Sequence, residues 1–184
     1  SGIRFGRRLR SFLMPTRLRV DSAAALPQAL LRAARYYNAP WFVTKDPVSI
    51  PRRFLGTDPV NVEVAGLLAA HLAWGRRETI LSKAGDWLNR MENRPADFLR
   101  NLSPRHAAAM KGFVHRTLCD TDALWMMGVW SDYIRQYGSL QGMFEGPTVA
   151  DGLARYASLM RDALPLGDRL RKHFASPLQG SACK

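Results

Sequence analysis

The chain has 184 residues, with 27 lysines and arginines against 15 aspartates and glutamates, and so carries a net charge of +12 at pH 7. With 47% apolar and 23% charged residues, it is long and apolar enough to form one medium domain and is not a wholly disordered chain. Two cysteines, Cys119 and Cys183, are too few for a disulfide framework, so we expect a reducing, cytoplasmic location. No apolar run reaches the roughly 18 residues of a membrane span. The basic excess favours an anionic partner such as nucleic acid.

Residues 1–20 form a basic segment without acidic residues, which we interpret as a disordered leader before a helical domain at residues 21–184. An arm that contacts nucleic-acid phosphates and an arginine-rich transit peptide are the open alternatives for this segment. Its arginines are Arg4, Arg7, Arg8, Arg10, Arg17 and Arg19. The basic excess persists without residues 1–13, so the expectation of a nucleic-acid partner does not depend on the leader.

Helical periodicity of the apolar residues predicts one all-α domain of seven or eight short helices. The predicted helices cover residues 23–37, 60–74, 77–91, short stretches beginning at Pro95 and Pro104, and residues 121–137, 149–164 and 166–174. Residues 60–74 are apolar on nearly every side, which indicates a central buried helix. Three prolines in residues 38–57 favour an irregular connection there.

Helix ends and short polar stretches complete the predicted architecture. Asp58 and Asp120 have the residue type and position of helix N-caps, and Asp122 would place a charge in the following first turn. Gly75 and Gly138 are expected to end helices. Residues 176–184 are predicted to be rich in turns.

The sequence contains no motif for a metal, a cofactor or a nucleotide. The histidines form no ligand pair, and neither a phosphate-binding loop nor a dinucleotide fingerprint is present. We therefore expect no cofactor. His71, within the apolar stretch, is interpreted as a core histidine with satisfied hydrogen bonds.

Two short stretches are candidates for contact with nucleic acid. The first is the turn between the two central helices, where guanidinium groups and helix N–H groups favour anions; it contains Trp74, Gly75, Arg76 and Arg77. A solvated basic turn is an equally weighted alternative. The second stretch is His115 and Arg116, for which a surface loop with local hydrogen bonds is the alternative.

The order of several motifs carries a resemblance. They are Asp46-Pro47, Ile50-Pro51, Arg53-Phe54, the stretch from Val62 to Ile80 with its Trp-Gly-Arg-Arg turn, His115-Arg116-Thr117, Asp120-Thr121-Asp122, Tyr137-Gly138 and Gly180-Ser181-Ala182-Cys183-Lys184. This succession resembles a bacterial family of conserved hypothetical proteins, domain of unknown function 2400, over residues 26–184. Members of the family are longer, which implies that the chain is an N-terminal portion, incomplete at its C-terminus.

The family is in turn similar to helix-hairpin-helix DNA glycosylases of the endonuclease III type. That likeness implies a partial glycosylase-like helical bundle that binds DNA at the turn of residues 74–77 and acts in repair. It would also place Lys184 at the position of a lysine nucleophile. A lysine at a chain end lacks the burial that lowers the pKa of a nucleophile, so we predict that this chain alone is inactive. The alternatives are a non-catalytic basic helical module that binds nucleic acid, and a helical protein without such a partner.

Overall fold

The computed structural model describes residues 26–165 and 168–178, and in these residues the regular structure is almost entirely helical. The chain divides into two compact units, Ser1–Phe42 and Val43–Lys184. The all-α prediction is confirmed: the described residues hold nine α-helices, one more than the upper end of the expected number. The predicted leader at residues 1–20 lies outside the described residues.

The first unit contains α1 (Leu26–Tyr37) and the beginning of α2 (Pro40–Thr44). Aromatic rings gather where α1 ends: the ring of Tyr36 lies 5.0 Å from that of Tyr37 and 5.1 Å from that of Trp41, centroid to centroid, both edge to face. This geometry is the favoured one for aromatic pairs. The helix predicted over residues 23–37 ends where expected, and its first three residues lie outside the described part.

The second unit holds the remaining elements. They are α3 (Ser49–Arg52), α4 (Pro59–Leu72), α5 (Arg77–Arg90), α6 (Pro95–Arg100), α7 (Pro104–Ala109), the antiparallel strands β1 (Val114–His115) and β2 (Leu118–Cys119), α8 (Asp120–Tyr137) and α9 (Val149–Asp162), with short 3₁₀ helices at Gln141–Phe144 and Arg169–His173. As predicted, α4 is central: it packs against α3, α5 and α6, and Val64, Leu68 and Leu72 are fully buried.

Two buried tryptophans join α5 to α8 in this core. The indole rings of Trp87 and Trp130 are stacked at 6.4 Å with an interplanar angle of 18°, and neither is exposed to solvent. The Trp87 Nε1–H donates to the sulfur of Met127 at 3.3 Å. The indole N–H of Trp87 is thus buried with a partner, as a core position requires.

The prediction of an irregular connection over residues 38–57 is wrong, because α2 and α3 lie within it. Pro40 is the first residue of α2 and Pro51 is the third of α3. At these positions a backbone N–H has no acceptor within the helix, so proline removes no hydrogen bond.

The predicted N-cap at Asp120 is also wrong. Cys119 occupies the cap position of α8, and its N–H donates to the Asp122 carboxylate at 2.9 Å. Asp120 instead accepts from the Gly112 N–H at 2.7 Å. The cap predicted at Asp58 is confirmed, since its side chain accepts from the Val60 N–H at 3.0 Å.

The ends of three other predicted elements are refined by the structure. Gly138 ends α8 in the left-handed conformation, as expected. In contrast, α4 already ends at Leu72, before Gly75. The helix expected over residues 166–174 is a 3₁₀ helix at Arg169–His173 in its described part.

Candidate nucleic-acid interface

The turn between α4 and α5 presents its side chains to solvent. Gly75 has a φ of +116°, which lets the chain reverse after Trp74. Arg76 is the N-cap residue of α5 in an extended conformation, and Arg77 is the first helical residue. The side chain of Trp74 is 47% exposed, so the turn offers part of an indole face and two guanidinium groups together.

The second predicted stretch lies at the loop of the β1–β2 hairpin. His115 pairs with Leu118 across the hairpin, which leaves Arg116 and Thr117 as the two loop residues. Arg116 takes a positive φ of 55°, and its guanidinium lies over the indole of Trp74, 4.9 Å from the ring centroid. The fold therefore brings the two candidate stretches together.

Gly75 makes this arrangement possible. A Cβ atom at position 75 would collide with the guanidinium group of Arg116. The absence of a side chain at this position lets the arginine lie close to both the turn and the indole. We call the group formed by Trp74, Gly75, Arg76, Arg77 and Arg116 the arginine surface.

His115 lies beneath the arginine surface. Its side chain is 4% exposed, with the main chain of Leu72 and Trp74 beside its ring. Burial lowers the pKa of His115, and the charges of Arg116 and Lys83 lower it further against the opposing effect of that main chain. The expectation that His115 contacts nucleic acid directly does not fit this position: a buried neutral ring supports the turn.

The charges of the arginine surface are only partly balanced. Within residues 26–165 and 168–178, no carboxylate lies within 4.0 Å of the guanidinium groups of Arg76 and Arg116. Arg77 is 3.8 Å from a carboxylate oxygen of Asp46, and its side chain is 50% exposed. A surface with uncompensated guanidinium groups beside a helix N-terminus attracts anions.

Arg169 holds the hairpin through an ion pair and a hydrogen bond. Arg169 donates to both carboxylate oxygens of Asp122, at 2.7 and 2.8 Å, and to the carbonyl oxygen of Thr117 at 3.1 Å. Burial opposes ionisation of Asp122, but hydrogen bonds from Cys119 and Arg169 outweigh it and lower the pKa of the carboxyl group. The loop that carries Arg116 is therefore tied to the 3₁₀ helix at Arg169–His173.

A cavity of about 200 Å³ adjoins the arginine surface and was missed by the sequence analysis. Trp74 is one of its lining residues, together with His71 on α4, Tyr156 on α9 and His173. The Nε2 atom of His71 is 2.6 Å from the Tyr156 hydroxyl, so this histidine has the hydrogen bond that we expected, although it lines a cavity. Because His71 and Tyr156 are 85 residues apart, no local sequence signal links them.

The described residues offer no support for a metal site or a membrane span. No group of three or more His, Cys, Asp or Glu residues among them could hold a metal ion. In the same part of the chain, no helix is both long and apolar enough to cross a membrane. Lys184, the proposed nucleophile, lies outside the described residues.

One family model matches the chain, over residues 46–184, and its description is "Protein of unknown function (DUF2400)". Neither the search of curated proteins nor the search of solved structures gave a match. The family match begins close to the start of the second compact unit and covers well over half of the chain. The chain therefore belongs to the DUF2400 family.

Proposed function

We propose that this member of the DUF2400 family binds DNA through the arginine surface. The observation that carries the proposal is the stack of Arg116 on the exposed Trp74, beside Arg76 and Arg77. Guanidinium groups neutralise phosphates, and bases stack on guanidinium planes as well as on aromatic rings. The net charge of +12 supports the same partner, since it attracts a polyanion at long range.

The strength of binding should depend steeply on salt. Each phosphate contact contributes about −0.9 to the slope of log K against log salt for duplex DNA, and about −0.7 for single strands. Three arginines on this surface then give a slope of about −2.7 on duplex DNA and about −2 on a single strand. A solvated basic turn without a nucleic-acid partner would give no measurable binding, even at about 50 mM salt.

The test is a salt titration of fluorescence anisotropy with labelled duplex and single-stranded DNA. The double variant Arg76→Glu with Arg77→Glu should bind far more weakly than the unmodified chain and lose about 1.8 from the duplex slope. The matched control is Arg105→Glu with Lys111→Glu, which changes the net charge equally. Both control side chains are exposed and lie in no ion pair within the described part of the chain.

The main chain of Lys111, one of the two control positions, lies at the other end of α5. Arg90, in the last turn of that helix, donates to the carbonyl oxygens of Ala109 and Lys111. A helix of 14 residues is about 21 Å long, so the carbonyl group of Lys111 is remote from the turn at residues 74–77. Equal losses of affinity in both double variants would show that only net charge matters, which would contradict a specific surface.

The resemblance to DNA glycosylases adds a separate hypothesis of repair chemistry, carried by Lys184. Borohydride trapping on abasic DNA tests it, because an attacking lysine forms a Schiff base that borohydride reduces to a stable adduct. A trapped adduct that disappears in Lys184→Ala would favour the enzyme, and DNA binding without an adduct would favour the non-catalytic module.

A further inference from the structure

The cavity beside the arginine surface has the size of one ring system. Its volume of about 200 Å³ slightly exceeds the roughly 150 Å³ of an engineered apolar cavity that binds benzene. It is smaller than the roughly 300–1,000 Å³ of pockets for drug-sized ligands. Most of the wall is apolar, and it includes the rings of Trp74, Phe144, Tyr156 and Phe174. These walls suit a flat ring better than a long chain.

Polar groups stand in this apolar wall at fixed positions. The Trp130 Nε1–H can only donate, and it lies 3.3 Å from the Tyr156 oxygen. The Nε2 atom of His71 lies 2.6 Å from the same hydroxyl, which can donate one hydrogen bond and accept two. This chain of hydrogen bonds orients the imidazole of His71 in the cavity wall. A second imidazole, that of His173, also lines the cavity.

A guanidinium group lies next to one lining residue of the cavity. Trp74 belongs both to the cavity wall and to the arginine surface, and its ring carries the guanidinium of Arg116. The neighbouring Thr117 has its hydroxyl oxygen 3.4 Å from the Nε2 atom of His173. The two loop residues thus each contact a lining residue, which makes Arg116 a cation neighbouring the cavity.

From these three features we propose that the cavity binds a nucleotide, with the base against the aromatic wall and the phosphate at Arg116. Apolar faces, two imidazoles and a nearby guanidinium match a heteroaromatic ring joined to a phosphate. The nucleotide could be a free mononucleotide or one residue of a DNA strand, and both have this chemistry. If the nucleotide is part of a DNA strand, the inference rests on the proposed DNA binding, and the cavity holds one base of the strand that the arginine surface binds.

The chain has four histidines, which makes their imidazole protons suitable NMR reporters. We expect dAMP at millimolar concentrations to shift the resonances of His71 and His173. The signal of His106 should not move, because this ring packs on Phe98 away from the cavity. A dA oligonucleotide is the second probe. Saturable shifts with dAMP indicate a free nucleotide, and shifts with the oligonucleotide alone indicate a base in a strand.

Two further ligands separate the parts of the site. Deoxyadenosine lacks the phosphate, and we expect the unmodified chain to bind it several-fold more weakly than dAMP. In Arg116→Gln, deoxyadenosine and dAMP should bind with equal affinity. Toluene is an apolar ring of similar size. If toluene shifts the histidine resonances as strongly as dAMP, the cavity is a generic apolar site and the assignment to a nucleotide is overturned.

A variant that fills the cavity completes the test. Ala175 lines the cavity yet is exposed, so Ala175→Phe can enter the cavity from its rim without disturbing the core. We expect at least a tenfold loss of nucleotide affinity, with no change in the control Ala109→Phe on the exposed face of α7. Unchanged nucleotide affinity in Ala175→Phe would overturn the proposal.

The result is separable from that for DNA binding. Absence of shifts with dAMP and with the oligonucleotide, while anisotropy still reports DNA bound through Arg76 and Arg77, would refute the nucleotide site alone. If the unmodified chain shows no DNA binding by anisotropy but dAMP still shifts the histidine resonances, the proposed DNA binding by the arginine surface is refuted. The assignment of the cavity to a nucleotide is then unaffected.

Discussion

Replacing Gly75 with alanine would separate the placement of Arg116 from its charge. The φ of +116° at Gly75 is far from the left-handed well near +57° that other residues can adopt. Backbone strain of this kind costs about 1–3 kcal/mol. The new Cβ also collides with the Arg116 guanidinium, whose flexible end can move away. Its departure from Trp74 forfeits about 0.5–1 kcal/mol of cation–π attraction at an exposed site.

The two consequences need two assays. Thermal unfolding should show a Tm lowered by about 2–4 °C for each kcal/mol lost in a chain of this size. In the salt titration with duplex DNA, Gly75→Ala should lose about 0.9 from the slope, as though one phosphate contact were removed. The net charge of the chain is unchanged by this substitution, so a smaller slope reports a displaced arginine.

Gly138→Ala is the matched control for the strain. Gly138 has a φ of +80° at the end of α8, and a Cβ there would meet no atom within 4 Å. This variant should lose stability and keep the slope of DNA binding. If Gly75→Ala is destabilised but binds DNA with an unaltered slope, the placement of Arg116 does not matter for binding, and our reasoning about the arginine surface fails.

Three further predictions concern stability. Leu68→Ala in the centre of α4 should lower the free energy of unfolding by about 2–5 kcal/mol in urea titrations, because the side chain is fully buried. The pKa values of Asp58 and Asp122 are lowered in the fold. The two carboxylates therefore stabilise the fold fully above the unfolded pKa of about 3.9, and this stabilisation is lost as pH falls through their folded pKa values. In Asp122→Asn, the urea midpoint should fall less steeply as the pH is lowered through this range. The pKa of His115 is also lowered in the fold. Because histidine is a base, the unfolded chain then binds a proton more readily than the folded one, and the free energy of unfolding decreases as pH falls below the unfolded pKa of about 6.5. Replacement of His115 by glutamine should remove that slope between pH 7 and 5, and a persisting slope would contradict its burial as a neutral ring.

Much of the helical framework could be predicted because its causes are local. The stretch at α4 is apolar on all sides, and a helix of this kind has to be buried. The Asp58-Pro59 pair combines an N-cap with a proline that tolerates the first helical position. Gly138 adopts the left-handed conformation that ends α8. Each of these features is decided within a few residues of its own position.

The arrangement of the site could not be predicted in the same way. The strands of the hairpin are two residues long, too short for an alternating pattern to show. The contact of Arg116 with Trp74 joins segments from different elements, and nothing in either segment specifies the other. Both stretches could be recognised as basic and polar, but their meeting depends on how the hairpin packs against the end of α4.

The register of the hairpin explains why neighbouring residues differ so much in their part at the site. Side chains alternate along a strand, and in β1 Val114 is exposed whereas His115 is buried, opposite the equally buried Leu118. A shift of one residue would turn His115 outward and displace the loop that carries Arg116. The buried imidazole beneath the turn at residues 74–77 thus fixes the register, and the register places a guanidinium over Trp74. His115 therefore acts on the arginine surface through the register of the hairpin, as a buried side chain and not as an exposed one.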